Sequence, residues 1–203
     1  NKSLWYLTDT GEKRVLINKE KIQKYIEREM LKGKRVLAIA MSNSTNFDSL
    51  CLIGFVFLKD NIRKETVSAI RAIKSSGIQV VMVTGDSKQT AMAIARETKI
   101  LDGPTDIVLT SEEFNKMTDE YLMNILPNLK VLSRALPQDK NRLVKISQAK
   151  GLIVGMTGDG VNDASALKKA DVGFSLGSGT EVAKETSDIV LLDDNIASIT
   201  TAI

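Results

Sequence analysis

From Lys59 to the end of the chain, short apolar runs alternate with helical patterns, and this alternation restricts the fold more than any other feature. Ile62, Thr66, Ala69, Ile70 and Ile73 recur at helical spacing before Gly77. After them "IQVVMV" reads as a buried strand, "KQTAMAIARETKI" as a helix, "LKVLSRA" as a strand, and "QDKNRLVKISQAKG" as a helix opened by Pro137 and closed by Gly151. "LIVGM", "DVGFSL" and "DIVLL" read as three more strands, separated by helices over "NDASALKKA" and "GTEVAKETS". Strands joined by helices lie parallel in a sheet covered on both faces, so the pattern predicts a doubly wound α/β domain over residues 59–203. Residues 1–58 follow another pattern. An amphipathic helix from Lys19 to Gly33 precedes two β runs, "RVLAIAMS" and "SLCLIGFVFL", which predicts a small α/β piece.

Composition removes several function classes. The chain has 203 residues, and 43% hydrophobic against 26% charged residues matches a folded protein, not a disordered tract. Its 28 basic and 25 acidic residues are interspersed, with no basic stripe carrying aromatics, so nucleic-acid binding has no support. The absence of histidine excludes His-based triads and the common zinc sites, and the single cysteine, Cys51, sits in an apolar run where it packs as a small hydrophobe. The longest apolar runs fall well short of the roughly 20 residues that span a bilayer, so no segment is expected to cross a membrane. With neither initiator Met nor signal peptide at Asn1, and an uncapped apolar pattern in "NIASITTAI", the sequence is expected to be cut from something longer.

One detail repeats. "VVMVTGD" ends at Asp86 and "IVGMTGD" ends at Asp159, each an apolar run followed by Thr-Gly-Asp. In a parallel sheet both turns lie at the carboxyl edge, where such folds bind ligands, so the echo predicts one site built from two distant segments. Thr84 and Gly85 offer hydroxyl and amide donors, and the helix starting near Ser87 adds the positive end of its dipole. Asp159 and Asp163, with Gly160 between them, are hard oxygen donors suited to Mg²⁺, and a divalent cation relieves the repulsion in "TGDGVND". Arg134 and Lys140 are cations suited to a transferring phosphoryl group. Simpler readings stand beside these: a single Thr-Gly-Asp is an ordinary turn with a capping Asp, Asn162 serves equally as a helix N-cap, and Lys140 alone is a solvated helix lysine. Asp188, Asp193 and Asp194 read as turn and solubility residues around "IVLL".

The segment "MTGDGVNDASALKKADVGFSLGSGTEVAKETSDIVLLDDN" strongly resembles the phosphorylation domain of P-type cation-transporting ATPases, in the haloacid dehalogenase superfamily. "VMVTGDSKQTAMAIA", "SRALPQDK" and "LKDNIR" resemble the family's second Thr-Gly-Asp, Arg/Lys and hinge segments, and residues 1–58 are similar to the last part of its nucleotide-binding domain. "LLDDN" looks like the calcium and sodium/potassium branch. The resemblance implies a haloacid dehalogenase-type fold, with Asp159 coordinating Mg²⁺ and Asp163 supporting or sharing that site. It also implies that Thr84, Gly85, Asp86, Arg134, Lys140 and Asn162 contact nucleotide or phosphoryl oxygens, Lys140 and Thr84 acting on the transferring group, and that Asp60 and Arg63 serve an interdomain hinge. "DNIR" lacks the two prolines of the family's hinge.

By the same resemblance the cofactors are Mg²⁺ and ATP, the transported cation (calcium, by resemblance only) binds elsewhere, and the remaining partner is the rest of a pump with its membrane helices, this piece lying on the cytoplasmic side. The family's acceptor motif, Asp-Lys-Thr-Gly-Thr on the first sheet strand, is absent, so the neighbours of that strand are expected to carry unpaired edges. "TDTG" at Thr8–Gly11 lacks the Lys and second Thr, and Asp9 reads as part of a hairpin turn. Two other readings remain: a soluble phosphatase of the same superfamily, which needs an Asp-x-Asp pair the sequence does not offer, and a non-catalytic module that binds Mg²⁺ or a nucleotide.

Overall fold

A computed structural model describes residues 5–42, 50–59 and 61–202. The chain divides into two compact units, Asn1–Asn61 and Ile62–Ile203.

The first unit is a four-stranded mixed sheet with one helix. Its elements are β1 (Trp5–Leu7), β2 (Lys13–Val15), α1 (Lys19–Met30), β3 (Arg35–Met41) and β4 (Cys51–Leu58), and the sheet order is β2-β1-β4-β3. β1 and β2 form an antiparallel hairpin whose turn is closed by the Thr8 N–H donating to Glu12 O at 2.9 Å. Among the described residues Asp9 accepts from the next residue's N–H, at 3.1 Å, within this hairpin turn. β4 runs antiparallel to β3 and parallel to β1, and Cys51 is buried in it. On α1, Tyr25 meets Phe57 of β4 edge to face, with centroids 5.7 Å apart.

The last turn of α1 holds a buried carboxylate, Glu29, which accepts from the Lys32 ammonium and, at 2.5 Å, from that of Lys34. These two hydrogen bonds, Lys32 first, bring its pKa from 4.5 down to about 2. A carboxyl depressed on folding stabilises above its unfolded pKa and loses that contribution as pH falls through the folded one. The last turn of α1 therefore loosens between pH 4.5 and 2. A side-chain NMR titration of Glu29 is expected to give a midpoint near 2; a midpoint at 4.5 would mean that the two lysines do not hold it.

The second unit contains α2 (Thr66–Ser75), β5 (Met82–Val83), α3 (Lys88–Glu97), β6 (Ile107–Thr110), α4 (Ser111–Asn115), α5 (Asp119–Ile125), β7 (Leu129–Ser133) and α6 (Pro137–Ala149). β8 (Gly155–Gly158), α7 (Ala164–Lys169), β9 (Val172–Leu176), α8 (Glu181–Thr186), β10 (Ile189–Leu191) and α9 (Ile199–Ala202) follow. The strands are parallel and form two three-stranded sheets, β5-β7-β6 and β10-β9-β8.

Alternation along the strands sends side chains to opposite faces. On one face of the first sheet Leu109, Leu129 and Leu132 pack with Phe114 of α4, Leu122 of α5, and Leu143 and Ile146 of α6. On the other, Val131 packs with Ile70 of α2 and with Ala91 and Ala95 of α3. In the second sheet Phe174 and Leu191 pack with Ile73 of α2 and Ile199 of α9. Helices thus cover both faces of a parallel β structure, the predicted α/β arrangement.

Several boundaries differ from the sequence reading. The run "IQVVMV" forms a ladder only at Met82–Val83, because β7 is its sole partner among the described residues. The strand expected at "LIVGM" starts three residues further on, at Gly155, leaving Leu152 44% and Ile153 83% exposed. α2 begins at Thr66, after Ile62. β6, α4 and α5 lie between two elements that the pattern had joined directly. β5 and β8 each end a sheet among the described residues.

Candidate functional site

The first Thr-Gly-Asp leaves the end of β5. Thr84 N–H extends the ladder to Leu132 O at 2.9 Å, and Thr84 O then accepts from Ala135 N–H while Asp86 O accepts from Arg134 N–H, both at 2.9 Å. This crossing pair fixes Thr84–Asp86 against Arg134–Ala135, and it holds Arg134 at φ 53°, a left-handed conformation that a side-chain-bearing residue adopts at a cost of about 1 kcal/mol or more. Thr84 Oγ1 accepts from Asp86 N–H at 3.1 Å, which leaves the hydroxyl proton available for an acceptor in front of the turn. Ser87 caps α3 by accepting from Thr90 N–H at 3.2 Å, so the helix N-terminus follows the turn directly.

The second Thr-Gly-Asp lies at the end of β8. Asp163 is 6% exposed and sits at the N-cap of α7, the place where Asn162 was a candidate cap. Its Oδ1 accepts from the Lys140 ammonium, and its Oδ2 accepts from the N–H groups of Asp159 and Gly160, each at 3.3 Å. Both oxygens are engaged, one by a cation and one by the loop that carries Asp159. Asp159 itself is exposed, and its side chain makes no hydrogen bond among the described residues. Asn162 is exposed beside it. On the far side, Thr180 N–H donates to Asp159 O at 2.8 Å.

Two glycines permit this packing. A Cβ at Gly158 would lie 2.4 Å from Asp163 Cβ, and one at Gly179 would lie 3.0 Å from Asp159 O. Gly179→Ala is expected to push the Asp159 backbone outward and weaken any ligand held there. A Mg²⁺ titration of that variant with affinity equal to the parent chain would contradict this.

One segment joins the two turns. Arg134 and Ala135 hold the first, Pro137 opens α6, and Lys140 in its first turn reaches Asp163 of the second. Thr84, Gly85, Asp86 and Arg134 are thus brought together, as are Lys140, Asp159 and Asp163, with one short connection between the groups. Asp60 lies outside the described residues, and Arg63 donates from Nη1 to Asp193 O at 3.2 Å. Asp193 and Asp194 close their own loops, Asp193 through Ser198 and Asp194 through Ser178 N–H; Asp188 clasps β9 through Gly173 N–H at 2.7 Å.

The donor set fits a small hard cation only in part-filled form. Among the described residues no three His, Cys, Asp or Glu side chains cluster at metal-ligand spacing. Mg²⁺ needs no such cluster, because it keeps several waters and takes one or two carboxylates together with phosphate oxygens. Asp159 offers that carboxylate on a loop held from both sides.

Sequence reasoning passed over the residues that anchor α6. Asp139 is fully buried and accepts from Leu136 N–H, Ser111 Oγ and Asn115 Nδ2 at 2.8, 2.6 and 2.7 Å. A helix-opening Pro followed two residues later by Asp was the available signal for the cap, but Ser111 and Asn115 belong to a helix the periodicity did not reveal.

A model of the haloacid dehalogenase-like hydrolase family matches residues 5–171. The chain is 50% identical over 160 residues to calcium-transporting ATPase 7, plasma membrane-type, of Oryza sativa subsp. japonica, covering 76% of this chain and 16% of that protein. It is 41% identical over 210 residues to calcium-transporting ATPase 12, plasma membrane-type, of Arabidopsis thaliana (98% and 20%). To a calcium-transporting ATPase of Listeria monocytogenes it is 45% identical over 154 residues (76% and 17%). The chain therefore spans a fifth or less of the length of these relatives.

Proposed function

Since the chain belongs to the haloacid dehalogenase-like hydrolases, we propose that it forms the Mg²⁺- and phosphoryl-binding part of an ATP-driven calcium pump. In this reading residues 1–58 end a nucleotide-binding domain and residues 59–203 form the phosphorylation domain, on the cytoplasmic side of a membrane that other segments cross. No helix among the described residues is long and apolar enough to do so. The observation that carries the proposal is the Lys140–Asp163–Asp159 constellation at the end of one parallel strand, joined by Arg134–Lys140 to the matching turn of another.

The chemistry assigned to the pump is transfer of the γ-phosphoryl group from ATP to an aspartate oxygen, releasing ADP, followed by attack of water on the acyl phosphate to release inorganic phosphate. The accepting aspartate lies outside this chain. Its place would be an extended segment between the edges of β5 and β8 that carry no partner strand among the described residues, covering the exposed Leu152 and Ile153. Bound Mg²⁺ would supply charge neutralisation at the phosphoryl oxygens, with Asp159 as its protein ligand and Asp163 behind it. Lys140 brings a fixed positive charge, one of its protons committed to Asp163 and two left for phosphoryl oxygens. Thr84 donates its hydroxyl and Gly85 its amide to the same oxygens, with Asp86 and Asn162 beside them and Arg134 as a second cation. Without metal, Lys140, Asp159 and Asp163 sum to one negative charge; with Mg²⁺ they sum to one positive charge, which suits an incoming anion.

The test is intact-mass spectrometry of the purified chain after incubation with Mg²⁺ and either ATP or acetyl phosphate, followed by hydroxylamine, together with a calorimetric Mg²⁺ titration. The expected result is no phosphoryl adduct and Mg²⁺ binding that disappears in Asp159→Asn. A hydroxylamine-labile adduct would place the acceptor within this chain and overturn the proposal.

A further inference from the structure

Asp139 raises a question that helix capping does not answer. A carboxylate at the third position of a helix accepts the N–H of the capping residue perfectly well while half exposed, yet Asp139 has no accessible surface. Removing an ionised group from water is unfavourable unless several donors surround it, and here two of the three come from α4, through Ser111 and Asn115. α4 is also tied to the start of α3, behind the first Thr-Gly-Asp turn, where the Lys88 ammonium donates to Glu113 Oε2 at 2.9 Å.

The next two residues of the same turn reach elsewhere. Successive helical positions differ by about 100°, so Asp139, Lys140 and Asn141 face three directions. Lys140 donates to Asp163, and Asn141 Oδ1 accepts from Ser165 Oγ at 3.0 Å in α7. One helical turn is thereby fixed to α4 on one side and to the Asp163–α7 junction on the other. Asp163 in turn holds the Asp159 and Gly160 amides. The contacts form one continuous path from α4 to the loop that presents Asp159.

We infer that Asp139 is a positioning residue: together with Ser111 and Asn115 it sets the first turn of α6 so that Lys140 stays on Asp163, and through Asp163 it sets the Asp159–Gly160 backbone. The inference deepens the proposed function, and only its metal readout rests on that proposal.

The test compares four forms of the full 203-residue chain by amide NMR and Mg²⁺ titration. In Asp139→Asn the new amide group meets another donor on Ser111 or Asn115, so the Asp159 and Gly160 amide signals are expected to shift and the Mg²⁺ dissociation constant to rise about 10-fold, as for loss of an outer-shell contact. The exchanged pair Asp139→Asn with Asn115→Asp restores donor against acceptor and is expected to return both readouts toward the parent chain. Leu122→Ala weakens the same core without touching the path, and is expected to leave the Asp159 and Gly160 signals in place. If Asp139→Asn does not fold, Ser111→Ala removes a single donor and keeps the charge, with a smaller shift of the same two amides expected. Unmoved Asp159 and Gly160 amides in a folded Asp139→Asn or Ser111→Ala chain would overturn the inference. If the parent chain binds no Mg²⁺, it is the proposed function that fails, and the amide shifts still decide the positioning role.

Discussion

Asp139→Ala is expected to lower the unfolding free energy of the Ile62–Ile203 unit by about 1–3 kcal/mol, the range for leaving a buried polar group without its partner. Ser111 Oγ–H loses its acceptor in the interior, where a donor left unpaired is penalised, while Asn115 Nδ2–H and Leu136 N–H lose theirs nearer the surface, where water compensates more of the loss. Urea unfolding followed by far-UV circular dichroism measures the effect, and a loss below about 1 kcal/mol would mean that water replaces the carboxylate at little expense.

The same group gives the unit an acid edge. Burial pushes the Asp139 carboxyl upward, but hydrogen bonds from Leu136 N–H, Ser111 and Asn115, with the Arg142 charge nearby, outweigh it and hold the carboxyl below its usual 3.8. Being depressed on folding, it stabilises fully above the unfolded value and loses that contribution as pH falls below 3.8 toward the folded one. The parent chain is therefore expected to lose stability over that window with a slope that Asp139→Asn lacks.

Gly158→Ala has the second large effect. The added methyl carbon would sit 2.4 Å from Asp163 Cβ and 2.8 Å from its Cγ, well inside contact distance. Either β8 is forced away from β9 or Asp163 is forced off Lys140 and the Asp159 loop, and both outcomes carry strain of about 3 kcal/mol, the upper end for overpacking. Because Asp163 is the nearer and less constrained group, the expected outcome is a chain that still folds but has lost Mg²⁺ binding. A thermal melt together with a Mg²⁺ titration separates the two. Unchanged stability and unchanged binding would mean that the turn relaxes in a way the packing does not suggest.

The sequence revealed most where a signal is carried by neighbouring residues. The helices from Lys19, Thr66, Lys88 and Pro137 could be read because each presents two or more turns of apolar periodicity, and Gly33, Gly77 and Gly151 stop three of them at positive φ. β6, α4 and α5 escaped notice because segments of four, five and seven residues are shorter than the window over which periods of 2 and 3.6 can be told apart. Their caps, Thr110 and Thr118, were visible as residue types, but threonine before an acidic residue is too common to define a helix alone.

For the candidate site, the sequence by itself determined which groups are present and in what order. Two Thr-Gly-Asp turns after apolar runs, an Arg and a Lys at a helix start, and the glycines that let backbone approach backbone are all local facts. Parallel connection then places each turn at the carboxyl end of its strand, one in each of two sheets. Only the tertiary structure decided what each group is free to do. Asp159 and Asp163 are alike as letters, four residues apart, yet folding buries Asp163 against Lys140 and two amides and leaves Asp159 exposed. Asp139 reads as one more helix-start acid until α4, 24 to 28 residues away, closes over it. The physical reason is the same in both cases: the environment of a carboxylate is set by donors distant along the chain, and only the packed fold brings those donors to it.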